Sequence, residues 1–198
     1  MTRLILASQS TARLLMLRNA GLSFEAKPAP IDERAVEAPL IAERQPPSDI
    51  ALALAEAKAV AVSRVEPDAV VIGADQTLEA DGVRWTKPRT IDEARQQLES
   101  LAGHTHALHS GVAAARNRGV VWGHVDTARL TMRKLSAGFI DRYLAEVGEV
   151  ALASVGAYQI EGIGIQLFER IDGDFFTILG LPLLPLLSWL RAQKMIPS

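Results

Sequence analysis

Leu4-Ile5-Leu6-Ala7-Ser8-Gln9-Ser10-Thr11-Ala12-Arg13-Leu14-Leu15-Met16-Leu17 compresses three kinds of local structure into one short stretch. Leu4 to Ala7 is continuously apolar and reads as a buried strand. Ser8 to Ser10 is small and polar. From there to Ala20 the leucines imply a helix, which Gly21 ends at the position after its cap. A strand, a serine-rich loop and a helix N-terminus in that order are the opening unit of an α/β fold.

Working outward, Phe24 to Lys27 reads as a second strand ended by Pro28 and Pro30. Residues 31–47 carry Pro39, Pro46 and Pro47 with little periodicity, and are expected to form a long loop. Ser48 is placed to cap a helix over about Asp49 to Val65. Ala69 to Ala74 reads as a central strand, with Asp75 and Gln76 at its C-terminal end. Asp81-Gly82 is a hairpin signal, and Thr90-Ile91-Asp92-Glu93 is a capping box opening a helix to Leu101. Ala107 to Ala115 and Val120 to Arg133 pair around Asn117-Arg118-Gly119. Ser136 caps a helix to about Val147. Ile163 to Ile171 and Phe175 to Leu179 are expected to form a hairpin near Asp172-Gly173, and Pro182 suits the start of a last helix. Helices and strands alternate first and strands cluster later. The expectation is therefore an α/β fold, a mixed twisted sheet flanked by helices, in one domain over residues 1–198.

The whole chain has 198 residues, 21 Lys+Arg against 23 Asp+Glu, 48% hydrophobic residues and no Cys. That composition can bury enough apolar surface to fold, which excludes disorder. A net charge of −2 excludes binding of nucleic acid through bulk positive charge. Any polyanion must be met by a local cluster of cations. The lack of Cys removes disulfides, thiolate zinc sites and thiol nucleophiles. The first residues are interrupted by Ser8, Gln9, Ser10 and Arg13 too early for a secretory segment, and the apolar run before Trp189 is too short to span a bilayer. These features suit a cytoplasmic protein without a membrane partner.

Several residues could carry chemistry. A helix N-terminus with Ser8, Ser10 and Arg13 suits a phosphate, because unpaired N–H groups, hydroxyls and a guanidinium converge there. A capping serine beside a solvated arginine fits the same pattern. Asp75, approached by Val70-Val71-Ile72-Gly73-Ala74, could hold Mg²⁺ or accept a proton from water, or simply cap a turn. Glu33, beside Asp32, is a second carboxylate. Lys58 and Lys87 are matching cations, each also compatible with the surface. His104 and His106 alternate but lack a third ligand, so a structural role outweighs a metal pair. Trp85, Trp122 and Trp189 read as packing residues.

Together these segments resemble the Maf family of nucleoside triphosphate pyrophosphatases. LILASQSTARLLML over 4–17 is similar to the family's Ser-x-Ser and Arg opening, with Thr11 in place of the usual Pro. VIGADQTLEADG over 71–82 is similar to its central acidic motif, followed by WTKP. LAGHTHALHSGVAA over 101–114 and GAYQIEGIGIQLFERIDGDFFTILGLPL over 156–183 complete the match in order. The resemblance implies two lobes around a cleft, as in inosine triphosphate pyrophosphatases. It implies hydrolysis of a nucleoside triphosphate to monophosphate and pyrophosphate with Mg²⁺ or Mn²⁺. The site residues it implies are Ser8, Ser10, Arg13, Glu33, Lys58, Asp75, Lys87 and Glu161, with Glu33 and Asp75 as metal ligands and Asp75, Glu33 and Lys87 catalytic. Whether Asp75 is base or ligand stays open. Gln76 after Asp75, with Glu161, resembles the branch acting on 7-methyl-GTP; the alternatives are a dTTP/UTP enzyme or a septum-formation regulator acting through partners. A homodimer is the expected assembly.

Overall fold

A computed structural model describes residues 3–197. The chain divides into two compact units. The first takes the residues up to Gln76, His109–Thr127 and those from Asp174 onward; the second takes Thr77–Leu108 and Ala128–Gly173. A seven-stranded mixed sheet has the order β2 (Glu25–Ala26), β1 (Leu4–Leu6), β3 (Val70–Ala80), β5 (Thr105–Arg116), β6 (Gly119–Met132), β7 (Phe168–Asp172), with β4 (Val83–Trp85) paired to β3.

In the first unit, β1 (Leu4–Leu6) is wholly buried and pairs in parallel with β2 (Glu25–Ala26) and with β3 (Val70–Ala80). Helix α1 (Thr11–Asn19) starts at Ser10 and stops before Gly21, whose φ of +77° closes the helix in a conformation that glycine adopts without strain. Residues 31–47 are not the long loop expected from their prolines. Helix α2 (Glu33–Ala42) forms there, because the Asp32 carboxylate accepts from the backbone N–H groups of Arg34 and Ala35. Pro39 sits inside it and costs one hydrogen bond without stopping it. Ser48 is not a cap either. Helix α3 (Pro47–Ser63) begins one residue earlier, with Pro47 in its first turn, where a missing N–H loses nothing.

The position of α3 follows from small residues. Ala51, Ala55 and Ala59 recur every fourth residue on its buried face. They lie directly on glycines of the sheet: a Cβ added at Gly73 would come 2.0 Å from the Ala55 carbonyl oxygen, and one at Gly111 would come 2.6 Å from that of Ala51. Strand alternation then sorts β3. Val71 joins the cluster of Ile5, Ala59 and Val62 on the α3 side, whereas Val70, Ile72 and Ala74 join Met16, Leu17 and Leu186 on the other. The opposite layer holds α1, α6 (Phe175–Ile178) and α7 (Leu183–Ala192). Trp122 stacks on Trp189 there at 5.4 Å between ring centroids, the packing role expected of both.

β3 does not end at Ala74. It runs through Asp75 and Gln76 to Ala80 and turns at Asp81-Gly82 into β4 (Val83–Trp85). Both turn residues have positive φ, as a two-residue hairpin turn requires. In the second unit, α4 (Ile91–Leu101) follows its Thr90 cap and α5 (Ala137–Val147) its Ser136 cap. β5 (Thr105–Arg116) and β6 (Gly119–Met132), of which His109–Thr127 belongs to the first unit, flank the turn at Asn117-Arg118, again with positive φ at both. The expected hairpin over 163–179 does not form. Ile163–Leu167 is a 3-10 turn, and β7 (Phe168–Asp172) pairs antiparallel with β6 instead. Asp174 accepts from the N–H groups of Phe176 and Thr177, which makes Phe175–Ile178 a short helix. No helix among the described residues is long and apolar enough to cross a membrane.

Candidate active site

The first unit brings most of the expected residues together through the alternation of β3. Gly73 and Asp75 are two residues apart and share the face that meets α3. Lys58 lies three residues beyond Ala55, one helical turn along the same face of α3. Its ammonium meets the Asp75 carboxylate in an ion pair between two nearly buried side chains. The same nitrogen is 2.7 Å from Oε1 of Glu33, the first residue of α2. Two carboxylates from separate elements therefore converge on one cation. The helix that the sequence pattern did not disclose, α2, is what delivers Glu33.

Arg13 reaches the site from α1. Its Nε donates to the Gly180 carbonyl oxygen at 2.7 Å and its Nη1 to that of Ala74 at 2.9 Å. Desolvation draws the guanidinium below its ordinary pKa, while the negative charges of Asp75 and then Glu33 act in the opposite sense. Arg13 is thus electrostatically joined to both acids. Ser10 is the N-cap of α1, its Oγ accepting from Arg13 N–H, and the Ser10 N–H donates to Ser8 Oγ at 3.2 Å. The capping reading of Ser10 holds, and the hydroxyl hydrogens of both serines remain available as donors. The register of β1 against β3 places Leu6 beside Ile72, so Ser8 follows β1 at the level where β3 approaches Asp75.

Gln76 points to the other face of β3. Its Nε2 donates to Ser110 Oγ at 2.9 Å and to the carbonyl oxygens of Thr177 and Ile178 at 3.0 Å. The amide nitrogen is held from three sides, which fixes the orientation of the side chain. Among the described residues nothing donates to its Oε1.

Lys87 and Glu161 belong to the second unit. Lys87 is exposed on the extended segment after β4 and makes no ion pair among the described residues. Glu161 is exposed in the turn before the 3-10 segment at Ile163–Leu167. The histidine pair is structural. His106 is buried, its Nε2 is 2.6 Å from the Tyr158 hydroxyl, and burial pushes its pKa down to about 4. His104 instead faces the Ala102 carbonyl through Nδ1. Ser110 and Tyr158 were not singled out by the sequence; a hydroxyl inside a strand and a phenol in an irregular segment carry no local signal.

Glu33 and Asp75 are the carboxylates that could hold a hard divalent cation, although in the structure both meet the Lys58 ammonium; Mg²⁺ commonly takes one or two carboxylates with substrate phosphates as further ligands. No group of three or more acidic or histidine side chains forms a complete cage among the described residues.

The family described as Maf-like protein matches residues 3–193. A 7-methyl-GTP pyrophosphatase of Rhizobium meliloti is 61% identical over 95% of this chain and 94% of its own. One of Brucella abortus is 56% identical over 98% of each. A nucleoside triphosphate pyrophosphatase of Nitrobacter winogradskyi is 54% identical over 98% of this chain and 95% of its own.

Proposed function

The chain belongs to the Maf-like proteins, and from that premise we propose that it hydrolyses a nucleoside triphosphate, 7-methyl-GTP in preference, to the monophosphate and pyrophosphate. The observation that carries this reading is the ammonium of Lys58 set between Glu33 and Asp75, with Arg13 coupled to both acids.

A nucleoside triphosphate brings several negative charges, and phosphoryl chemistry depends chiefly on positioning and charge compensation. Arg13, Lys58 and Lys87 supply the cations, and the hydroxyls of Ser8 and Ser10 at the start of α1 supply donors. Asp75 takes the proton from a water that attacks the α-phosphorus in line, and pyrophosphate departs. Lys58 fixes the Asp75 carboxylate in place and compensates its charge. Glu33 and Asp75 would hold a divalent cation, which adds charge compensation for the triphosphate when bound.

Base preference rests on Glu161, whose carboxylate is exposed. A guanine edge offers N–H donors to such a group, and 7-methylation adds positive charge to the ring, which a carboxylate favours. The test is a panel of 7-methyl-GTP, GTP, dTTP and UTP with Mg²⁺ or Mn²⁺, reading pyrophosphate and orthophosphate separately. Pyrophosphate released fastest from 7-methyl-GTP is expected. Orthophosphate as the product, or faster turnover of dTTP, overturns the reading.

A further inference from the structure

Within the second unit, one side chain joins the two segments that carry Lys87 and Glu161. Gln97 lies on α4, beside the buried stripe of Ala94, Leu98 and Leu101. Its Nε2 donates to the Thr86 carbonyl oxygen at 2.8 Å, the peptide oxygen immediately before Lys87. Its Oε1 accepts from the Gly156 N–H at 3.2 Å, at the start of the turn leading to Glu161. The orientation of the amide is set by chemistry. A carbonyl only accepts and a peptide N–H only donates, so the reversed amide would oppose like groups at both ends.

The segment after Gly156 is stiff enough to carry that anchor forward. Gly156 and Ala157 have φ of +82° and +62°, a sharp turn that leaves little freedom. A Cβ at Gly156 would meet the Tyr158 ring at 2.7 Å, and one at Gly164 would meet the Gln159 carbonyl oxygen at 2.4 Å. The Tyr143 hydroxyl donates to the Ala157 carbonyl at 3.2 Å, and Ser154 Oγ donates to that of Tyr158 at 2.6 Å. The Tyr158 hydroxyl is itself pinned by His106. Only Gln159 and Ile160 separate this clamped tyrosine from Glu161.

We infer that Gln97 is a positioning residue that sets the phosphate-binding Lys87 and the base-reading Glu161 in register, one through each end of its amide; this rests on the roles proposed above for those two residues. The arms are separable. Gln97→Glu keeps an acceptor for Gly156 but turns a carboxylate oxygen toward the Thr86 carbonyl. Gln97→Leu removes both arms.

The experiment measures kcat and KM of both variants for 7-methyl-GTP and dTTP, with Lys87→Ala and Glu161→Gln alongside and thermal melting of each. Gln97→Glu is expected to lose about tenfold in kcat/KM for both nucleotides with their ratio held within about twofold, because only the Lys87 arm is disturbed. Gln97→Leu is expected to lose in addition about tenfold of the preference for 7-methyl-GTP. Combined with Glu161→Gln, it should lose no further preference. If Lys87→Ala and Glu161→Gln both behave as wild type, the proposed roles fail and the inference with them. If those two act as expected while Gln97→Glu keeps wild-type kinetics or loses base preference, the inference alone is overturned. A Gln97→Leu variant that folds but retains full preference overturns it too.

Discussion

The Arg13 guanidinium donates to the carbonyl oxygen of Ala74, the residue directly before Asp75 on β3. It does so at the point where β1 has already ended and β3 has lost its parallel neighbour. The backbone leading to the acid is therefore tied by a side chain in place of a strand. A second tie, to the Gly180 carbonyl, holds the same guanidinium from the far side. Lys in place of Arg keeps the charge but cannot donate in two fixed directions. Arg13→Lys is expected to reduce kcat/KM for 7-methyl-GTP by about tenfold to a hundredfold, since small misplacements of a reacting group are costly. Steady-state kinetics check this, and a loss below about threefold would show that charge alone suffices.

Asp75→Asn is expected to lower kcat by about a hundredfold to ten-thousandfold, the usual range for removing a general base. Lys58 keeps Glu33 as a partner in that variant, so its circular dichroism and gel-filtration profile should match wild type. Lys58→Met behaves differently. It leaves the Asp75 carboxylate nearly buried with Glu33 nearby and no cation between them. Breaking a buried pair in this way costs about 3–5 kcal/mol. Urea unfolding should show that cost, and adding Mg²⁺ should recover part of it if the two acids bind the ion.

Gly73→Ala is expected to be the most disruptive single methyl in the first unit. The added Cβ would come 2.0 Å from a helix carbonyl and 2.7 Å from the Ala59 nitrogen, neither of which can yield without moving α3. Overpacking of a rigid site costs about 1–3 kcal/mol or more. A displaced α3 also withdraws Lys58 from Asp75, so stability and kcat should fall together. An unchanged melting temperature would show that α3 shifts freely.

His106 predicts a pH dependence of stability. Burial holds its folded pKa near 4, against an ordinary value of 6.5. Below about pH 6.5 the unfolded chain binds a proton that the folded chain refuses, so stability falls as the pH drops and stops falling near pH 4. The full loss is about 3 kcal/mol. His106→Gln removes the titrating group while leaving an amide for the Tyr158 hydroxyl. Chemical denaturation from pH 4 to 7 should therefore show a flatter curve for the variant. Parallel curves would mean that His106 is protonated in the folded state.

Local patterns in the sequence sufficed for the elements whose ends are marked by side chains. Ser10, Thr90 and Ser136 start helices, Gly21 stops one, and Asp81-Gly82 and Asn117-Arg118 turn hairpins, because caps and turns are settled by a few neighbouring atoms. The order of motifs likewise identified the family and nominated Asp75, Glu33 and Lys58. Three matters were decided only in three dimensions. α2 formed despite Pro39, because one capped turn and packing against α3 outweigh a single missing N–H. β3 continued past Asp75, because strand length depends on partners elsewhere in the chain, here β4. The joining of Thr86 to Gly156 by Gln97 is the third: a glutamine on a helix looks alike in the sequence whether it faces water or two peptide groups far away along the chain, and only folding supplies those groups.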